Sequence, residues 1–88
     1  MKEESHQFYC VECGKKGIPV ARSKSSQREK GHLKKLWCLN CKKETNHAEI
    51  SKNYPVEIFL YEYNNHNFIN GNRINSADSM IKKYYKEN

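Results

Sequence analysis

Residues 8–16 read FYCVECGKK and residues 36–43 read LWCLNCKK, so the chain holds two Cys-x-x-Cys pairs with lysines close behind each. The cysteines of these pairs are Cys10, Cys13, Cys38 and Cys41. A Cys-x-x-Cys turn directs two thiolates at one centre, and Zn²⁺ prefers four ligands in a tetrahedron, with Zn–S distances of about 2.3 Å. The spacing therefore predicts a structural Zn²⁺ site that takes part in folding and has no open position for a catalytic water.

Two other uses of the cysteines are less well supported. Disulfides need an oxidising compartment, and the polar N-terminus MKEESHQ has no apolar stretch of the kind that directs export. A thioredoxin-like redox site needs one pair beside a βαβ pattern, whereas this chain has two matched pairs. The histidines are expected at surface or turn positions, and His47 lies too far beyond Cys41 to complete a knuckle. The four are His6, His32, His47 and His66.

The composition explains why a metal is needed. Leu, Ile, Val and Phe make up only 16 of 88 residues, and the net charge is +6, which is typical of chains that do not fold by apolar burial alone. No apolar run approaches the length of a membrane span, so no membrane contact is expected. A chain of this size is also too small for a deep substrate pocket, and no small-molecule substrate is expected.

Alternation and turn residues predict a three-stranded antiparallel sheet around the zinc. Residues 1–6 are polar and are expected to be frayed, and residues 8–9 lead into the first knuckle. Residues 23–31 contain no apolar side chain and predict a solvated hairpin tip. The predicted strands of the sheet are residues 18–22, 32–37 and 46–51.

Beyond the ribbon the pattern becomes helical. Pro55 suits the first turn of a helix, and Ser76 suits the N-cap of a second helix over residues 77–85. The apolar face predicted for the first helix consists of Val56, Phe59, Leu60 and Tyr63. The predicted fold is thus a small α+β structure: a four-cysteine zinc ribbon over residues 1–53 and a helical extension over residues 54–88, packed as a single compact domain.

The positive charge is concentrated on the ribbon. Residues 14–43 hold ten Lys and Arg against one acid, Glu29, whereas residues 54–88 are neutral. A clustered basic segment is the usual electrostatic footprint of nucleic-acid binding, although it can also be a solvated loop that keeps a small protein soluble. The predicted phosphate-binding residues are Arg22, Lys24, Arg28, Lys30, His32, Lys34, Lys35, Lys42 and Lys43.

Two further expectations concern the strand before the second knuckle. Trp37 could stack on a base if it were exposed, but as the only tryptophan beside a metal ligand it is expected in the core. Alternation places Lys34 with His32 on one face and Lys35 with Leu33 and Trp37 on the other. Lys34 is therefore predicted to be the better phosphate contact.

The segment 8–47 resembles small zinc-ribbon proteins encoded by phages and prophages of low-GC Gram-positive bacteria. The elements Arg-x-Lys, Arg-Glu-x-Gly-His-x-Lys-Lys-Leu and Cys-x-x-Cys-Lys-x-x-Thr-x-His carry this resemblance. It implies zinc binding and the cytoplasm of a bacterial host more than it implies an activity. The second knuckle, with Thr45 and His47, also resembles that of a small ribosomal zinc-ribbon protein, which implies contact with RNA.

These observations favour a non-enzymatic, regulatory protein that binds DNA or RNA through residues 22–43. The alternative is an interaction module that inhibits or adapts a host protein such as a polymerase, a nuclease or a defence factor. Tyrosine is enriched at interfaces, and the neutral segment is rich in it, although the same residues could cap the core. They are Tyr54, Tyr61, Tyr63, Tyr84 and Tyr85.

An HNH-type nuclease is a third hypothesis, because such enzymes carry paired cysteine knuckles. His66, Asn70 and Asn72 lie close together in the sequence. The ββα-metal element needs a histidine before its first strand and another on its helix, however, and here the helix precedes His66. The order of elements therefore argues against a hydrolytic metal site.

Overall fold

The computed structural model describes residues 3–23 and 30–87. For four of these, only the backbone is described: Glu3, Glu4, Arg22 and Ser23. This part of the chain forms a small α+β structure with antiparallel sheets and two helices, as predicted. Its elements are β1 (Glu3–His6), β2 (Phe8–Cys10), β3 (Val20–Ser23), β4 (Leu33–Cys38), β5 (Lys43–Glu49), α1 (Val56–Asn64), β6 (Phe68–Ile69), β7 (Asn72–Arg73) and α2 (Ala77–Glu87).

A three-stranded antiparallel sheet, in the order β2-β5-β4, carries both cysteine pairs. β4 and β5 form a hairpin whose turn is the second Cys-x-x-Cys pair, so that Cys38 lies opposite Lys43. β2 pairs with the other edge of β5, where Cys10 lies opposite His47. Since β2 and β4 both run antiparallel to β5, both run towards its start: β4 ends opposite Lys43, and the N–H of Val11, just beyond β2, donates to the carbonyl of Asn46. Both knuckles therefore lie towards that end of the sheet.

The membership of this sheet differs from the prediction. Residues 18–22 do not join it; β3 instead pairs with β1 in a separate two-stranded sheet, and the segment expected to be frayed is a strand. The third strand of the main sheet is β2, and β5 starts directly after the knuckle. The prediction failed because β1 has no apolar alternation: its order comes from backbone pairing and from His6 Nδ1, which lies 2.5 Å from the buried Glu49 carboxylate.

One face of the main sheet is covered by the first helix. Tyr9 and Ala48 lie opposite each other on this face, and the ring of Phe59 from α1 lies 5.3 Å from that of Tyr9. The first knuckle, both helices and the turn before α1 contribute the other side chains of the core. Its buried members are Val11, Ala48, Tyr54, Ile58, Phe59 and Ala77.

The buried face of α1 differs from the predicted one. Ile58, Phe59 and Glu62 are buried, whereas Leu60 is 43% exposed. Pro55 is the N-cap residue and precedes the helix instead of occupying its first turn. The prediction treated the core side as purely apolar, but the helix is rotated so that Glu62, a carboxylate, points inward.

Glu62 is fully buried because its partners are buried with it. Its carboxylate accepts hydrogen bonds from Tyr54 Oη at 2.5 Å, from Asn67 Nδ2 at 2.6 Å and from Arg73 Nε at 2.9 Å. Burial, and then the hydrogen bond to Glu62, raise the pKa of Tyr54 above its usual range, so the phenol stays protonated and donates. The charge is thus paired and hydrogen-bonded, which is the condition for burying an ion.

Arg73 also joins the C-terminal segment to the part of the chain that carries the cysteines. The hairpin of β6 and β7 turns at Asn70 and Gly71, both with positive φ, as a type I′ turn requires. At its tip, Asn46 Nδ2 donates to the Gly71 carbonyl at 2.6 Å. At its base, Arg73 Nη1 donates to the carbonyl of Gly31 at 2.7 Å. The Asn-rich segment therefore contacts the cysteine-bearing part of the chain at two points, Asn46 and Gly31.

The second helix begins as predicted and runs two residues further. Ser76 is its N-cap, since Ser76 Oγ accepts a hydrogen bond of 3.1 Å from the backbone N–H of Ser79. Met80 is buried, and Tyr84 packs on Tyr61 of α1, with 5.4 Å between the ring centroids. Neither α1 nor α2, the helices of the described ranges, combines the length and apolar character that crossing a membrane requires.

Candidate metal centre

The two cysteine knuckles have the same backbone turn. In the first, the N–H of Gly14 donates to the carbonyl of Cys10 at 2.8 Å; in the second, the N–H of Lys42 donates to the carbonyl of Cys38 at 2.8 Å. Gly14 has φ of 76° and Lys42 has φ of 57°, so both occupy the left-handed region. A local turn therefore presents each pair of thiols on one side of its loop.

The four thiols converge on one point. All four Sγ atoms lie within 4.8 Å of one another, and none of them is in a disulfide. Sγ of Cys13 lies 3.6 Å from that of Cys38, and Sγ of Cys10 lies 3.9 Å from that of Cys41. A tetrahedral site with Zn–S distances of about 2.3 Å has sulfurs about 3.8 Å apart. The cluster therefore has the dimensions of a four-thiolate metal site.

Hydrogen-bond donors near the cysteine sulfurs favour their ionised, thiolate form. Thr45, which is buried, places Oγ1 3.1 Å from Cys10 Sγ, and the N–H of Cys41 donates to Cys38 Sγ at 3.3 Å. Cys10 and Cys38 are buried, while the other two cysteines are half-buried. Four soft ligands of this kind could hold a metal ion with every position filled by the protein.

The thiols influence one another's ionisation. The pKa of Cys38 falls to about 7: desolvation opposes the change, but hydrogen bonds from the N–H of Cys41 and from the thiol of Cys13 outweigh it. The pKa of Cys41 rises to about 12, through desolvation and the effect of the neighbouring thiols. Clustered thiols cannot all ionise without a counter-charge, and a bound cation supplies one.

His47 is buried, and its expected surface position is wrong. Its Nδ1 donates to the carbonyl of Thr45 at 2.9 Å, and its ring packs so tightly on Gly17 that a Cβ there would lie 2.7 Å from it. Among the described residues, its buried Nε2 has no hydrogen-bond partner. His47 lies opposite Cys10 in the pairing of β2 with β5, so its imidazole is on the same face of the sheet as the buried Cys10. The spacing of these residues along the chain could not reveal this pairing.

Trp37 is 49% exposed, so its expected place in the core is wrong as well. Alternation puts it on the same face of β4 as Leu33, which packs against the core. The cover over this face ends before the knuckle: the turn of the β6–β7 hairpin rests on Asn46, which lies opposite Lys35. Trp37 lies two residues beyond Lys35 on the same face, so the hairpin does not cover it and it is open to solvent.

The predicted phosphate-binding residues do not form one cluster. Lys35 and Lys42 are exposed, whereas Lys34, the one predicted to be the better phosphate contact, is half-buried. Two lysines have surface ion-pair partners: Lys30 with Asp78 at 3.1 Å and Lys43 with Glu12 at 3.6 Å. His32 is half-buried. Three predicted residues cannot be placed, because the side chain of Arg22 and all of Lys24 and Arg28 lie outside the described residues.

The described structure has two open clefts, of which only one lies beside a knuckle, and the sequence indicated neither. A cleft of about 600 Å³ lies between the start of β4 and the start of α2 and includes Lys30, Arg73 and Asn72. A second, of about 420 Å³, lies beside the first knuckle and includes His66 and Asn70. The three residues considered for a nuclease site are thus divided between the two clefts.

Comparisons of the chain with protein-family models, with curated proteins and with solved structures gave no match.

Proposed function

We propose that the chain holds a structural Zn²⁺ through its four cysteines and that the resulting ribbon is a non-enzymatic nucleic-acid-binding protein. The observation that carries the second part is the set of unpaired cations near the metal centre. Five lysines of residues 14–43 have no acidic partner within the described ranges: Lys15, Lys16, Lys34, Lys35 and Lys42.

The donor set and the spacing support zinc. Cys₄ sites with sulfurs about 3.8 Å apart are typical of closed structural zinc centres, which contribute directly to folding. Metal analysis of the purified chain should give one zinc per molecule, and a strong chelator should unfold it. Replacement by Co²⁺ should give the absorption bands of a tetrahedral thiolate site. A chain that stays folded and metal-free after chelation would contradict this part of the proposal.

The charge distribution supports a phosphate backbone as the ligand. Surface ion pairs are weak, so even Lys30 and Lys43 can exchange their carboxylate partners for phosphates. The cations follow the two knuckles and lie along β4, so the metal centre would fix their spacing. Protein-bound cations release counterions from nucleic acid, and affinity then depends steeply on salt.

Fluorescence anisotropy with labelled DNA and RNA oligonucleotides tests the proposal. With three to five lysine contacts, raising the salt from about 50 to 200 mM should lower the affinity about 40- to 500-fold for a duplex and about 20- to 130-fold for a single strand. The double variant K35A/K42G should bind weakly, and K82A/K83A, which removes two exposed lysines from α2, is the matched control. No binding at low salt, or equal losses in both variants, would contradict a role for this surface.

The alternative, a module that binds a host protein, rested on the tyrosines of the C-terminal segment. Tyr54 is fully buried, Tyr61, Tyr63 and Tyr84 are half-buried, and Tyr85 is 63% exposed. Most of them therefore contribute to the core, and they offer little support for an interface. Capture from host lysate after nuclease treatment remains the direct test, and membership in the phage family stays a prediction.

A further inference from the structure

We propose that the ligand of this surface is single-stranded nucleic acid and that one unpaired base stacks on Trp37. This inference rests on the proposed nucleic-acid function and adds the class of ligand. It depends on three features of the described structure: an exposed indole outside the core, a lysine on the same face of the same strand, and an acid opposite the indole on the neighbouring strand.

The exposure of Trp37 is the first of these features. The chain is poor in core residues and has a single tryptophan, yet that side chain is 49% exposed, at the edge of the cover that α1 and the β6–β7 hairpin provide. Leu39, two residues further along the chain in the second knuckle, is 72% exposed. A half-open aromatic ring on a sheet face is a platform on which a base can stack.

The position of Lys35 supplies the charge that such a platform needs. Lys35 and Trp37 are two residues apart on β4, which places them on one face and about 7 Å apart along the strand. Lys35 is exposed and has no ion-pair partner in the part of the chain that the structure describes. β4 is an edge strand of the three-stranded sheet, so a ligand can approach this face from the side.

A duplex cannot use this arrangement. In a double helix each base face is covered by its neighbours, so an aromatic side chain can stack only on an unpaired base. The lysines alone would hold either form, because they contact phosphate. Trp37 is therefore the residue that should distinguish single strands from duplexes.

Glu44 determines on which side of Trp37 the backbone of the bound nucleic acid passes. It is exposed and lies directly opposite Trp37 on β5. A phosphate near this carboxylate would be repelled, so the sugar-phosphate backbone should pass on the side of Lys35. Removing the charge with E44Q should raise the affinity for single strands about two- to fivefold, as expected for one partly screened pair of charges.

The experiment uses the zinc-loaded chain, because its single tryptophan reports on its own environment. Trp37 fluorescence is titrated with a 12-nucleotide single strand, as DNA and as RNA, and with the duplex of the same sequence, at about 50 mM salt. Quenching by one or both single strands, with no quenching by the duplex, is expected. W37A and W37F lack the indole, so their affinities are measured by anisotropy of labelled oligonucleotides. W37A should lower single-strand affinity about 5- to 150-fold and leave duplex affinity unchanged, with W37F intermediate.

The outcomes separate the two proposals. If the oligonucleotides bind but Trp37 is not quenched, or if W37A weakens single strands and duplex alike, the stacking inference is wrong and the nucleic-acid function stands. If no oligonucleotide binds, both fail, and a protein ligand for the Trp37 surface becomes the better explanation. Zinc content and circular dichroism of W37A check its fold, and E44Q provides a gain in affinity that misfolding cannot imitate.

Discussion

Arg73 Nη1 donates a hydrogen bond of 2.7 Å to the carbonyl of Gly31, which joins β7 to the segment that leads into β4. The same guanidinium donates to Glu62 and lies 5.5 Å from the ring centroid of Tyr54 and 5.3 Å from that of Phe68. Gly31 has φ of 64°, and a Cβ there would lie 2.6 Å from Arg73 Nη2. One cation therefore holds the C-terminal segment against the residues that lead into β4.

Replacing Arg73 should be strongly destabilising. R73M leaves Glu62 buried without its ionic partner, and removing one partner of a buried pair typically costs about 3–5 kcal/mol. R73K keeps the charge but cannot reproduce the hydrogen bonds that the guanidinium makes to three separate groups, the Glu62 carboxylate, the Gly31 carbonyl and the Tyr54 hydroxyl. It should therefore recover only part of the loss. Urea unfolding of the zinc-loaded protein measures both variants, with K82A as the surface control. A loss below about 1 kcal/mol for R73M would mean that the network is less important than its burial indicates.

The two knuckles should respond differently at their equivalent turn positions. G14A should destabilise the protein by about 1–3 kcal/mol, because φ is 76° and the new Cβ would lie 2.9 Å from the ring of Tyr63. K42G should be neutral or stabilising by up to about 1 kcal/mol, since glycine adopts the left-handed conformation without strain. Thermal unfolding of the two variants checks this. If K42G destabilised the protein as much as G14A does, the prediction that glycine relieves backbone strain at residue 42 would be wrong.

The hydroxyl of Thr45 should strengthen metal binding. T45V keeps the shape of the side chain but removes the group that lies 3.1 Å from Cys10 Sγ, and loss of such an outer contact typically weakens metal affinity about tenfold or more. Competition with a chromophoric chelator gives the affinity. T45S, which keeps the hydroxyl, should stay close to the wild type, and a similar loss in T45S would assign the effect to packing.

Lys35 should contribute more to nucleic-acid binding than Lys34. The sequence predicted the opposite, but Lys35 is exposed on the face of Trp37, whereas Lys34 is half-buried on the face of His47. K35A should therefore lower both the affinity and the salt slope more than K34A does. Anisotropy titrations at several salt concentrations make the comparison, and a larger loss in K34A would place the ligand on the other face of β4.

Local features were predictable from the sequence. Within each knuckle, the two thiols lie on one side of the loop because the geometry of a Cys-x-x-Cys turn depends on a few neighbouring residues. The start of α2 likewise follows from the hydroxyl of Ser76. Each depends on residues close together in the chain, so pattern and spacing were sufficient.

The tertiary structure alone decided where Trp37, His47 and Glu62 lie. A tryptophan beside a ligand was expected inside, and the face predicted for α1 did not include Glu62, yet Trp37 is exposed and Glu62 is buried. The physical reason is that burial depends on partners distant in sequence: Arg73 and Tyr54 neutralise and hydrogen-bond Glu62, and the pairing of β2 with β5 encloses His47. The sequence determined that four thiols meet, and the tertiary structure determined which side chains around them face the solvent.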